Sequence, residues 1–148
     1  MKICDTCSTI FKDNVFSTYC ESYNNCPLRE CSGHIIEIDE NIYEVYRILN
    51  EKGYVTRNCC SAHSFSEHPQ TYIQFYGDLS FPSLPDGFEL KHDSIENEGE
   101  ITTISKNYNK KLSSVELQMD IWDTSKDLLK WAESLKCVDN CPPTVNYF

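Results

Sequence analysis

The chain has no apolar run near the roughly 18 residues that a membrane-spanning helix needs, which excludes a helical span. Its opening, Met1-Lys-Ile-Cys-Asp-Thr-Cys7, lacks the apolar stretch of a secretory leader, so no signal peptide is expected. There is no internal repeat, no low-complexity segment and no glycine-rich nucleotide loop. Basic residues are few: 13 Lys and Arg stand against 23 Asp and Glu, for a net charge of −10. Such a surface repels phosphate backbones, so direct nucleic-acid binding is not expected. It keeps the chain soluble, and it suits a basic protein partner. Alanine is scarce while Ile, Asn, Lys and Tyr are plentiful, a bias of AT-rich genomes such as those of low-GC bacteria and their phages. The remaining composition, 40% hydrophobic and 24% charged over 148 residues, is that of one globular domain or a small module fused to a modest core.

What is present in excess is cysteine. Five of the nine lie in the first 34 residues: Cys4, Cys7, Cys20, Cys26 and Cys31, with His34 close behind. An odd number cannot all close into disulfides within one chain. In a reducing cytoplasm, the expected location, clustered thiols are more often metal ligands. The Cys4-x2-Cys7 pair, a gap of about eighteen residues, then further Cys/His pairs is the spacing of a zinc ribbon. The stretch also has too few apolar residues to fold by burial alone. A structural zinc supplies roughly 10–16 kcal/mol of apparent binding energy at neutral pH. The expected ligands are Cys4, Cys7, Cys26 and Cys31, with Cys20 and His34 as alternatives. Four protein ligands close the site, so its role is structural.

Residues 1–34 read as the zinc-ribbon-like module, 35–136 as the core and 137–148 as a C-terminal tail. In the module, Thr9 to Phe11 and Val15 to Tyr19 read as a hairpin. Ile35 to Ile38 is β-branched and reads as a strand. Ile42, Val45, Tyr46 and Leu49 recur at helical spacing, predicting a helix over 40–52 with Asp39 as N-cap and Gly53 as left-handed stop. Strands follow at Tyr54 to Cys60 and Thr71 to Tyr76, then at Phe88 to His92 and Glu100 to Ser105, the last two as a hairpin. Glu96, Glu98 and Glu100 lack the periodicity of a calcium loop. Ser113-x-x-Glu116 has the form of a capping box and opens a helical region. Its apolar face is expected to be Val115, Met119, Trp122, Leu128, Leu129, Ala132 and Leu135, with a break near Asp123-Thr124-Ser125. The fold class is α+β: the module, then a β-α-β-β-β-β-α core.

A second cluster, Arg57-Asn58-Cys59-Cys60-Ser61-Ala62-His63, falls where a strand runs into a loop carrying His68. Adjacent cysteines on a strand point to opposite faces, so one faces the core and the other the loop. Arg57, Asn58, Cys60, Ser61, His63 and His68 are candidate ligand-binding residues. Arg57 offers a bidentate fork for phosphate or carboxylate, which fits a nucleotide-like small molecule. Cys60 with His63 is the alternative catalytic pair, a thiol activated by an imidazole. A second metal on Cys60, His63 and His68, completed by Cys59, Cys137 or Cys141, is a further alternative.

The run Ile42-x-x-Val45-Tyr46-x-x-Leu49-Asn50-x-x-Gly53-Tyr54-Val55-Thr56-x-x-Cys59-Cys60-Ser61-Ala62-His63, with Tyr72-Ile73-Gln74-Phe75, resembles a group of uncharacterised proteins of low-GC bacteria and their phages. Those proteins join an N-terminal zinc ribbon to a Cys-Cys-Ser-Gly-His motif. The layout is also distantly similar to the wybutosine-synthesis methyltransferase family. The resemblance spans about a quarter of the chain, and Ala62 stands where the motif has glycine. It implies a β-α-β scaffold with a functional loop at Cys59 to His63. Together these readings point to a small zinc-binding protein acting as a non-catalytic binder or inhibitor. Its expected target is a host defence factor or that factor's nucleotide signal. A Cys/His thiol enzyme or a nucleotide-modifying relative of the wybutosine family is the alternative.

Overall fold

The computed structural model describes residues 2–4, 6–7, 9–11, 25–26, 30–64 and 66–138. Chain packing divides into two compact units, Met1–Glu40 and Asn41–Phe148. The fold is mixed α and β, as the sequence patterns imply.

The first unit holds a three-stranded antiparallel sheet of β1 (Lys2–Cys4), β2 (Ile10–Phe11) and β3 (Ile35–Glu37), in the order β2-β1-β3. Lys2 pairs with Phe11 on one side and with Glu37 on the other. The strand read as the start of the core therefore belongs to the cysteine-rich unit. Thr9 to Phe11 meets β1, and its expected partner, Val15 to Tyr19, lies outside the described residues.

A 3-10 turn, Glu40–Ile42, leads into helix α1 (Tyr43–Glu51) of the second unit. Ile42 occupies the N-cap of the α-helix and makes no side-chain cap bond, so Asp39 is not its cap. Gly53 ends the helix with φ 89°, as expected, and its N–H reaches the Asn50 carbonyl at 3.0 Å. A positive φ there is what glycine permits without a Cβ penalty. Asn50 then ties the helix to the next strand: its Nδ2 donates to the Thr56 hydroxyl and its Oδ1 accepts from the Thr56 N–H.

Strands β4 (Thr56–Ser61), β5 (Gln70–Tyr76), β6 (Glu89–Ile95) and β7 (Gly99–Asn107) form one antiparallel sheet in the order β4-β5-β7-β6. Alternation along β5 buries Thr71, Ile73 and Phe75 and leaves Gln70, Tyr72 and Gln74 on the other face. Strand β6 is an edge and is exposed almost throughout. Its Glu, Lys and Asp side chains guard that edge against pairing.

Helix α2 (Ser114–Ser134) closes the core with a complete capping box between Ser113 and Glu116, as the sequence predicts. It is continuous for 21 residues, without the expected break at Asp123 to Ser125. Thr124 and Ser125 are buried instead. Ser125 Oγ donates to the Ile121 carbonyl, and Thr124 Oγ1 accepts from Lys106 Nζ. The buried face is Leu117, Ile121, Leu128, Trp131 and Ala132, followed by Leu135. Val115, Met119 and Trp122, expected inside, are exposed. Trp131 packs edge-on against Phe81 at 5.2 Å and donates Nε1–H to the Ser83 carbonyl. Lys52 caps the far end of the helix: its ammonium reaches the carbonyls of Ala132, Glu133 and Leu135.

Candidate metal centre

The four expected cysteines converge. Cys4, at the end of β1, and Cys7, in the turn after it, come from one side. Cys26 and Cys31 come from the other. The four Sγ atoms all lie within 4.8 Å of one another. Cys4 and Cys31 sulfurs are 3.6 Å apart, and those of Cys7 and Cys26 are 3.8 Å apart. Disulfide sulfurs would be about 2.05 Å apart. Four sulfurs placed tetrahedrally at about 2.3 Å from a zinc lie about 3.8 Å from each other. The observed separations thus fit one ion held by four thiolates. The group could hold a metal ion.

The local backbone supports that purpose. The N–H groups of Thr6 and Cys7 both point at Cys4 Sγ at 3.4 Å. Donors aimed at a ligand sulfur steady its charge and direction. On the opposing turn, Cys26 N–H donates to the Gly33 carbonyl at 2.8 Å, and Glu30 takes a left-handed φ of 72°. Gly33 is buried against the site. A Cβ there would lie 2.5 Å from Cys4 Sγ and 2.6 Å from Thr6 Cβ and Oγ1. Only glycine lets this turn close over the cluster.

Burial pushes both Cys4 and Cys7 thiols up. At Cys7 the Thr9 hydroxyl and N–H outweigh burial and bring the thiol down to about 7. At Cys4 the N–H groups of Cys7 and Thr6 oppose burial without overcoming it. His34 is exposed, bridges through its backbone to Asn25 and stays outside the cysteine group. Cys20 lies outside the described residues.

In the second unit the strand-end loop is built on β4. Cys59 pairs with Ile73 on the core-facing row, and Cys60 pairs with Tyr72 on the other row. The adjacent cysteines thus face opposite ways, as alternation requires. Cys60 Sγ and a His63 ring nitrogen lie within 4.8 Å of each other, so the two do meet across the turn. His68 is exposed, and its N–H is turned onto Ser66 Oγ. Among the described residues, neither His68, Cys59 nor Cys137 shares a potential metal group with Cys60 and His63. Cys141 lies outside the described residues.

Arg57 sits at a register shift in β4. Its Nε and Nη2 donate to the Glu98 carboxylate, and its Nη1 donates to Gln74 Oε1 at 2.8 Å. The hydrogen bonds that Arg57 donates to Glu98 raise the guanidinium further and lower the Glu98 carboxyl. An anionic ligand at Arg57 would have to displace Glu98. Asn58 is exposed, on the same face as Gln74, while Ser61 is buried on the core-facing row beside Thr71. Ala62 adopts φ 71°, in the left-handed region. Its methyl is buried with Tyr108, Leu117 and Ile121. The pattern reading missed Tyr108, whose hydroxyl lies 2.6 Å from Thr71 Oγ1 and helps lock the base of this loop. A lone tyrosine after a strand gave no signal for that role.

No described helix is long and apolar enough to cross a membrane. Compared with protein-family models, with curated proteins and with solved structures, the chain finds no match in any of the three.

Proposed function

We propose that this chain is a small zinc-stabilised binding protein that acts by occupying a basic partner protein, as an inhibitor would, and not by catalysis. The observation that carries the zinc assignment is the sulfur geometry, 3.6 and 3.8 Å across opposing pairs, which suits Zn–S bonds of about 2.3 Å. All four ligands come from the chain, which leaves no open coordination position for a substrate. The ion then holds a zinc-ribbon-like module together and contributes folding energy rather than chemistry. A reducing compartment such as the cytoplasm keeps the thiols available for it.

The charge balance supports a protein target. With 23 acidic against 13 basic residues, the surface complements a basic protein, including a host factor whose groove otherwise holds nucleic acid. The engagement of Arg57 by Glu98 and Gln74 favours this over capture of a nucleotide-like signal. A thermal-shift screen separates the two. Nucleotides and signalling dinucleotides should leave the melting temperature unchanged. A ligand held at a hundred times its Kd would add about 2.7 kcal/mol and refute the choice.

The closeness of Cys60 and His63 favours a second reading, a thiol enzyme. It predicts rapid alkylation of Cys60 by iodoacetamide below pH 7. Slow alkylation, at the rate of an ordinary thiol, supports the non-catalytic assignment.

A further inference from the structure

Helix α2 covers one face of the four-stranded sheet: Lys106 of β7 reaches Thr124 of the helix, and Phe81 bridges Phe75 of β5 to Trp131. The other face carries a trough. Strand β7 runs between β5 and β6 and presents short side chains there, Thr103 and Ser105. Its neighbours present longer ones. The register sets Gln74, Thr103 and Lys91 in one row, and Tyr72, Ser105 and Glu89 in the next. Residues paired across strands share a face. Thr103 and Ser105 are thus a floor between the β5 side chains and those of Lys91 and Asp93. The cavity they line is about 250 Å³, just under the roughly 300–1,000 Å³ of clefts that take drug-sized ligands.

The lining selects by chemistry. Its charges are matched: Lys91 lies 3.3 Å from Asp93, and Arg57, bonded to Gln74, is held by Glu98. Glu89 adds one exposed carboxylate at the sheet edge, outside the lining. An anion therefore meets only cations already engaged, and a cation meets one rim carboxylate. An apolar ligand would strip water from the floor hydroxyls and return no hydrogen bond. Neutral hydrogen-bonding capacity is what the trough has to offer. Thr103 and Ser105 are half-buried, and among the described residues nothing bonds either hydroxyl. Gln74 accepts from Arg57 through Oε1, which leaves its Nε2 to donate. Gln70 donates Nε2 to Asn107, which leaves its Oε1 to accept. The half-buried Tyr72 sets an aromatic ring beside these groups. A matching ligand is uncharged, carries hydroxyls around its rim and turns an apolar face to the ring. A pyranose has all three properties.

We propose that the trough across β5, β7 and β6 binds a neutral saccharide, with the Tyr72 ring against its C–H face and Thr103, Ser105 and Gln74 on its hydroxyls. The site goes beyond the basic-partner reading and depends neither on that reading nor on the metal centre.

The test follows backbone amides by NMR on the full chain, titrated with maltotriose, cellotriose, chitotriose and lactose to millimolar concentrations. At least one sugar should shift the amides around Tyr72 and Thr103 until they saturate. Thr103→Val is the decisive variant. It suits a strand and removes only a hydroxyl that bonds nothing in the described chain, so the melting temperature should hold. Affinity for that sugar should fall about fivefold, the worth of one neutral hydrogen bond. Tyr72→Ala should weaken it about tenfold, while Tyr72→Phe, which keeps the ring, should not. No saturable shift with any of the four sugars overturns the inference, as does a Thr103→Val protein that binds like the parent. A preference for sialyllactose over lactose would make the trough an anion site, and saturation of the same amides by uridine alone would make it a platform for bases. Either result also overturns it.

Discussion

Gly33→Ala isolates the metal centre with a single methyl group. The added Cβ would stand 2.5 Å from Cys4 Sγ and 2.6 Å from two Thr6 atoms, about 1 Å inside ordinary contact. Cys4 Sγ cannot step aside without leaving the tetrahedron, and Thr6 supplies one of the two N–H groups aimed at that sulfur. Strain of this kind costs about 1–3 kcal/mol in packed interiors. About 2 kcal/mol corresponds to a roughly thirtyfold loss of zinc affinity. Competition against a chromogenic chelator reads that loss directly. Gly99→Ala is the control: Gly99 has φ 83° but open space around its Cβ position, so it costs backbone energy only and leaves zinc affinity unchanged. If Gly33→Ala holds zinc within twofold of the parent, the sulfur cluster does not close as described.

Other substitutions test the second unit. Trp131→Ala, which empties a buried site and removes the bond to Ser83, should cost about 3–5 kcal/mol in urea unfolding; Trp122→Ala should cost under about 0.5 kcal/mol. Lys52→Met removes the ammonium from three carbonyls at the end of α2 and should cost about 1–2 kcal/mol by the same assay. The capping box gives a pH dependence. The Ser113 N–H holds the Glu116 carboxyl below its usual range, so its contribution is full above the ordinary carboxylate pKa and is lost as pH falls through the depressed value. Glu116→Gln should flatten that part of the stability–pH curve, and an unchanged slope would count against the box.

Features with fixed local chemistry were legible in the sequence. The Cys-x2-Cys turn, the Ser113–Glu116 box, the Gly53 stop and the alternation of β5 each follow from a few adjacent residues. Long-range choices were not legible. Ile35–Glu37 reads equally well as a strand of either unit, and only pairing with β1 decides. Helix α2 offers two apolar stripes, and the sequence does not say which meets the sheet. The polar Thr124 and Ser125 look like a break because their partners, Lys106 and the Ile121 carbonyl, are absent from the pattern. Once those bonds are made, the hydroxyls sit inside and Trp122 is turned out. At the strand-end loop, the Cys60–His63 approach was readable from a three-residue spacing. The capture of Arg57 by Glu98, 41 positions away, was not.

The coordination shell of a zinc held by the four sulfurs is the most direct check of the central claim. X-ray absorption at the zinc edge, on protein purified without added metal, should show one zinc per chain with four sulfur neighbours at about 2.3 Å and no nitrogen shell. A site with no stoichiometric metal, or one whose ion carries imidazole or water in place of a thiolate, would contradict it.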